Sequence, residues 1–360
     1  MTAEKGKILV VLTGGTIGST SREGVRGITG NSPFILLHEF RRVFPAYSDC
    51  EFEVINPYSI LSENLTCGVW SELYGTLNTV DTAAYDGIIV THGSDTLAYT
   101  SAAMGMLMRH TKCPIVLTAA DRPVNDPASN ALPNFRASVD FIRSSGLKGV
   151  FVSYRRNADG AQVIYIATRL LSADCFADEF SSYGGCCFGR MEDGLFVPDS
   201  SPLNPSPDSL NRERLPIAGE RADLSARKIL FLHSYPGMDY SVVNPIGFAA
   251  AVNYGYHCAT ACAEGESTSL LKFAERCREC GVHLWLSSFK SAESEIYSTQ
   301  TETGRLGIGR FYDMSPEAAY VKAVLAYNLP ISDPDEFMRS CVYYEMLGRD
   351  ITEKAGVKDE

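Results

Sequence analysis

Two short stretches of this 360-residue chain carry residue types suited to acyl transfer. The first is TGGTIG, residues 13–18. Its paired glycines let backbone approach a ligand closely, and Thr13 and Thr16 bracket them with hydroxyls. A threonine hydroxyl attacks carbonyl carbon when a neighbouring group takes its proton. The second is THGSDT, residues 91–96, where Ser94 and Asp95 set a hydroxyl beside a carboxylate. Each stretch also has a plainer reading. Thr16 fits a residue that caps a helix after a strand–helix turn. Asp95 fits the N-cap of the helix that follows, and His92 a buried structural histidine. A Ser–His–Asp triad is disfavoured, because the three residues are too close in sequence to point at one another and no GxSxG elbow surrounds the serine. Neither GxGxxG nor GxxxxGK followed by Ser or Thr is present, which argues against a nucleotide site.

Both stretches need strands to hold them. Residues 7–12 (KILVVL) read as a buried strand ending at the first turn. Ile88–Val90 lead into the second, and LAYTSAAMGMLMRH then reads as a helix. In an open α/β sheet, ligands bind at the carboxyl ends of strands, so the two turns are expected to face each other across one site. Further strands are predicted at 51–56, 114–118, 149–154, 161–166, 228–233, 256–262 and 282–286. Helices are predicted at 34–44, 68–82, 134–144, 244–255, 270–280, 315–327 and 334–347. Residues 19–32 lack periodicity and read as a loop. The alternation implies a mostly parallel, doubly wound α/β domain and a smaller C-terminal α/β domain. Residues 197–226 hold five prolines and read as a connection. The expected organisation is a catalytic domain over 1–200, a linker over 201–226 and a second domain over 227–360.

Composition narrows the function classes. A net charge of −11 disfavours nucleic-acid binding, which rests on neutralising phosphates. No basic block suggests an anionic membrane surface. The apolar run Ile8–Leu12 is too short for a signal peptide, and a cytoplasmic location is expected. Eleven cysteines at irregular spacing fit free buried thiols. The lone CxxC of Cys277 and Cys280 lacks the second ligand pair of a zinc site. No metal or cofactor is expected.

Taken together, the two turns resemble the signature regions of the bacterial-type L-asparaginase family. Other segments agree in order: LSENLT around Ser62–Glu63–Asn64, Arg122–Pro123 followed by residues 129–134, SYPGMD at 234–239 and TETGRLG at 301–307. The C-terminal segments are most similar to the cytoplasmic, type I branch. The resemblance implies hydrolysis of a small amino-acid amide, asparagine to aspartate and ammonia, through a threonine acyl-enzyme without cofactor. It implies Thr16 as nucleophile, with Ser94 as second hydroxyl. Asp95 would serve as acid and ammonium anchor, with Ser62 and Glu63 holding the substrate's charged ends. A homodimer or homotetramer is implied, with Glu293 or Glu295 near the position that a partner subunit contributes.

Three departures stand out. Ser94 replaces a threonine, which keeps the hydroxyl and loses a methyl. Arg169 stands where the family has a lysine, and arginine does not shed its proton. The first loop lacks a tyrosine and carries Val25 and Arg26 instead. These departures leave room for a related amide substrate, such as glutamine or a peptide amide, or for a catalytically impaired protein that binds a small amino acid.

Overall fold

The computed structural model describes residues 6–18, 20–22, 25–27, 32–289 and 297–353. The chain divides into two compact units, Met1–Arg221 and Ala222–Glu360.

In chain order the first unit contains β1 (Lys7–Leu12), β2 (Thr20–Arg22), β3 (Val25–Gly27), α1 (Ser32–Val43), β4 (Glu51–Ile55), α2 (Cys67–Asn78), β5 (Gly87–Thr91) and α3 (Leu97–Leu107). It continues with β6 (Pro114–Thr118), α4 (Ala131–Ser145), β7 (Gly149–Arg155), β8 (Gln162–Ile166), β9 (Gly189–Glu192), β10 (Leu195–Pro198) and α5 (Pro207–Asn211). Eight strands form one sheet in the order β10-β9-β8-β7-β6-β5-β1-β4. Strands β4, β1, β5, β6 and β7 run parallel, and β8, β9 and β10 continue antiparallel. Strands β5 and β6 are buried at every residue, and β1 from Ile8 onward. That explains why they read as unbroken apolar runs, since helices cover both faces of such strands. Helix α3 is buried almost all round. Its small residues Ala98, Ala102, Ala103 and Gly105 allow close packing, and Thr100 Oγ1 accepts the Trp70 indole N–H at 3.0 Å. Phe40 of α1 meets Phe135 of α4 edge-on at 4.9 Å.

The sequence expectations need several corrections here. Residues 20–22 and 25–27 pair as a small antiparallel hairpin within the expected loop. Much of the expected linker packs on the first unit: Leu210, Ile217 and Ala218 are buried, and Tyr74 donates to Gly219 O at 2.8 Å. Proline marks a break in regular structure, and here the break is a packed strap. The eleven cysteines are free thiols, but only Cys50, Cys113, Cys277 and Cys341 are buried.

The second unit contains β11 (Lys228–His233), β12 (Phe248–Tyr254), α6 (Leu270–Glu279), β13 (His283–Phe289), α7 (Ser298–Arg305), β14 (Gly309–Tyr312), α8 (Pro316–Asn328) and α9 (Pro334–Arg339). Its sheet runs β11-β12-β13-β14 and is parallel throughout. Residues 244–255 were expected as a helix and instead provide the inner strand β12. FAAAVNY is too short and too uniform to show a period, and burial between two strands decides it. Residues 256–262 form turns, not a strand. The last helix stops at Arg339 because the following chain wraps a buried ion pair. Lys322 Nζ of α8 meets Glu345 Oε1 at 2.6 Å, both side chains fully buried. Glu345 also accepts the Val342 and Tyr343 N–H groups at 2.8 and 2.7 Å. Burial pushes the Glu345 carboxyl up, but Lys322 and these N–H groups outweigh it and hold its pKa below the ordinary value.

Candidate active site

The strand order fixes where a site can form. From β1 the chain passes to β4 on one side; from β5 it passes to β6 on the other. The carboxyl ends of adjacent β1 and β5 therefore flank the topological switch point, where open α/β sheets bind ligands. Leu12 and Thr91 are register partners at these ends, and both turns singled out in the sequence begin there.

The turns are in direct contact. Gly14 and Gly15 have φ of 108° and 76°, the left-handed region that favours glycine. A methyl group at Gly15 would fall 2.5 Å from the carbonyl carbon and oxygen of His92. Gly93 is equally confined, since a methyl there would fall 2.5 Å from Ser62 Cβ. The glycines thus let three segments meet: the turn after β1, the turn after β5 and the 62–64 turn. Hydrogen bonds stitch them together. Thr13 Oγ1 donates to Thr91 O at 2.6 Å. Ile60 N donates to Thr13 O, and Gly15 N to Ile60 O, each at 3.1 Å. Thr96 Oγ1 donates to Ser62 O at 3.0 Å.

Thr16 opens a short 3-10 turn, Thr16–Gly18, and is half-buried. Among the described residues this turn leads into β2, and Thr16 caps no α-helix there. Ser94 is half-buried and Asp95 exposed. The N-cap position of α3 belongs to Thr96, without a side-chain cap, so Asp95 is not the helix cap either. Its Oδ2 instead accepts the hydroxyl proton of buried Ser62 at 2.9 Å. Glu63 is exposed beside them. Of the residues singled out in the sequence, Ser62, Glu63, Ser94, Asp95 and Thr16 thus lie on three touching turns.

His92 has the structural role. It is 2% exposed, its backbone N–H donates to Thr118 O at 2.8 Å, and its ring Nδ1 lies 2.8 Å from Gly93 O. A carbonyl only accepts, so Nδ1 carries the proton. Burial pushes its pKa down to about 4, offset only in part by Gly93 O and Asp95. The ring is neutral at pH 7 and a poor base.

Arg169 ends a 3-10 turn, Ala167–Arg169, after β8. This turn packs against α3, where Ser101 Oγ donates to Ala167 O at 2.9 Å. Arg169 is 2% exposed, and its Nη1 donates to Leu203 O at 2.7 Å. The Val25 and Arg26 side chains and residues Glu293 and Glu295 lie outside the described part of the structure. Among the described residues no group of three or more His, Cys, Asp or Glu side chains is placed to hold a metal ion. No described helix is long and apolar enough to cross a membrane.

A glycine-tight hydroxyl turn against a hydroxyl–carboxylate turn, at the switch point of a mostly parallel sheet, fits an α/β amidohydrolase. The family described as asparaginase, N-terminal, matches residues 7–194, and the chain belongs to the asparaginase family. An L-asparaginase of Thermococcus kodakarensis is 34% identical over 152 residues, 41% of this chain and 44% of that protein. A glutamyl-tRNA(Gln) amidotransferase chain of Methanothermobacter thermautotrophicus is 24% identical over 378 residues, 97% of this chain and 78% of that one. Among solved structures, the thermostable L-asparaginase of T. kodakarensis matches with a TM-score of 0.73 at 23% identity, covering 94% of this chain and 99% of its own. L-asparaginase I of Vibrio cholerae matches at 0.72 and 18% identity, covering 95% and 99%. These two share the fold.

Proposed function

We propose that this protein hydrolyses the side-chain amide of asparagine, with Thr16 as nucleophile. The observation that carries this is the contact of Gly15 with His92–Gly93, which sets the Thr16 turn against the Ser94–Asp95 turn at the switch point. Thr16 Oγ attacks the amide carbon, ammonia leaves, and water opens the resulting ester. Asp95, oriented by the Ser62 hydroxyl, anchors the substrate ammonium, and exposed Glu63, next to Ser62 in the chain, holds the substrate's charged end with it. Two turn amides are already engaged, Gly15 N with Ile60 O and His92 N with Thr118 O. Stabilisation of the developing oxyanion therefore falls to other donors.

The proton path is the distinctive part. Arginine stays protonated under any working condition, so Arg169 supplies positive charge and no base. His92 is buried and neutral, leaving Ser94 or water to pass the nucleophile's proton on. Slow turnover, or a related amide such as glutamine, follows from this reading. Ammonia release measured on asparagine, glutamine and small β-amides tests it. Turnover of none of them, with calorimetric heat on adding asparagine, would make the protein an amino-acid binder; the buried Arg169 is what favours that second reading. A homodimer or homotetramer belongs to the proposal, and sedimentation tests it.

A further inference from the structure

The segment Tyr58–Ile60 grips the nucleophile's turn in a way the reaction scheme above leaves unused. Ile60 holds the turn by two backbone bonds, its N–H to Thr13 O and its carbonyl to Gly15 N–H. A short parallel bridge between Gly14 and Ile60 accompanies them. Tyr58 approaches the same turn with its side chain. Its phenol oxygen is buried without a well-formed hydrogen bond, and the Thr13 side chain is its polar neighbour. The Thr13 proton is committed to Thr91 O at 2.6 Å, so Thr13 Oγ1 is left as an acceptor toward Tyr58. Burial pushes the phenol well above its ordinary range; Glu72 adds to the rise and Thr13 offsets it in part. The phenol is therefore a donor at every working pH, never a base. A buried hydroxyl is costly to leave without a partner. Such contacts often tighten only when substrate binds.

We propose that Tyr58 is a positioning residue for Thr16: its O–H donates to Thr13 Oγ1 and, with the two Ile60 backbone bonds, closes a three-point clamp on the turn that carries the nucleophile. Tyr58 thus acts through Thr13 and not on substrate. This inference rests on the proposed role of Thr16. It gives the chain a tyrosine that supports the nucleophile from behind the turn, where the first loop has none.

The test compares wild type, Tyr58→Phe, Thr13→Val and the double variant. The phenylalanine keeps the ring and its packing, so the melting temperature is expected to hold. The expected result is a fall in kcat of about tenfold, the scale of one lost hydrogen bond, with KM unchanged. In the Thr13→Val background the Tyr58→Phe change is expected to have no further effect. Full activity in Tyr58→Phe, or effects that multiply in the double variant, would overturn the proposal. A change in KM alone would also overturn it. Amide hydrogen exchange in the 9–17 segment is the arm that does not need turnover. It is expected to quicken in Tyr58→Phe, and unchanged exchange would overturn the clamp even in a wild type without activity. Absent wild-type turnover with quickened exchange sinks the amidase reading and leaves the clamp standing.

Discussion

At the residue scale, the division of labour between the two hydroxyls is the point to test. Thr16 sits on the turn that the glycines press against His92–Gly93, while the proposed scheme gives Ser94 only the second hydroxyl, with no lysine to serve it. Thr16→Ala is expected to remove ammonia release, a loss of about a thousandfold or more. Ser94→Ala is expected to keep a measurable fraction. Full turnover in Thr16→Ala with loss in Ser94→Ala would reverse the assignment. His92 makes a second prediction, on stability. Its pKa of about 4 in the folded protein lies below the ordinary 6.5. Between those values the unfolded chain binds a proton that the folded chain refuses. Stability is therefore complete above about pH 6.5 and falls as pH drops toward 4, by on the order of 3 kcal/mol. Urea unfolding at a series of pH values checks the slope, and His92→Gln is expected to flatten it. An equally steep slope in that variant would assign the acid sensitivity elsewhere.

At the element scale, the turn after β1 works only because its glycines accept left-handed backbone and close contact. Gly15→Ala meets both obstacles, positive φ and the His92 carbonyl. The expected cost is about 2–3 kcal/mol or more, together with loss of turnover. Gly146 is the control. It also has positive φ, at the end of α4, but a methyl there meets nothing within 4 Å. Gly146→Ala is expected to cost only about 1 kcal/mol and to leave activity intact. Equal destabilisation by the two changes would show that the close approach of the turns is unimportant. The same scale shows where local pattern misleads. Residues 248–254 are as helix-compatible as α3 by composition, and only their neighbours β11 and β13 make them a strand.

At the scale of the whole molecule, two units each carry their own core. In the second unit Lys322 and Glu345 are buried without exposure and hold the 340–346 segment against α8. Lys322→Met leaves the carboxylate buried and uncompensated, and about 3–5 kcal/mol of stability is expected to go with it. Replacing both partners by apolar residues is expected to recover most of that loss. Denaturant unfolding of the three forms decides it, and a mild effect of the single change would mean that water reaches Glu345. The pair also contributes acid sensitivity of the same sign as His92. Its carboxyl is held below the ordinary value, so its contribution is present above the carboxylate range and is lost as pH falls through it.

What the sequence determined by itself is local: the buried strands KILVVL and PIVLT, the apolar run Ile88–Val90, the glycine pair, and the hydroxyl and carboxylate types at 16, 94 and 95. These were legible because a strand buried on both faces reads as an apolar run and a tight turn needs glycine. The expectation that two turns 78 residues apart share a site drew on the sheet rule; the order β4-β1-β5-β6 then supplied the contact. Tertiary structure alone decided that order, the strand at 248–254, the packing of residues 201–219 on the first unit, and the partners of Lys322. Each depends on which distant segments bury one another, and sequence spacing carries no term for that.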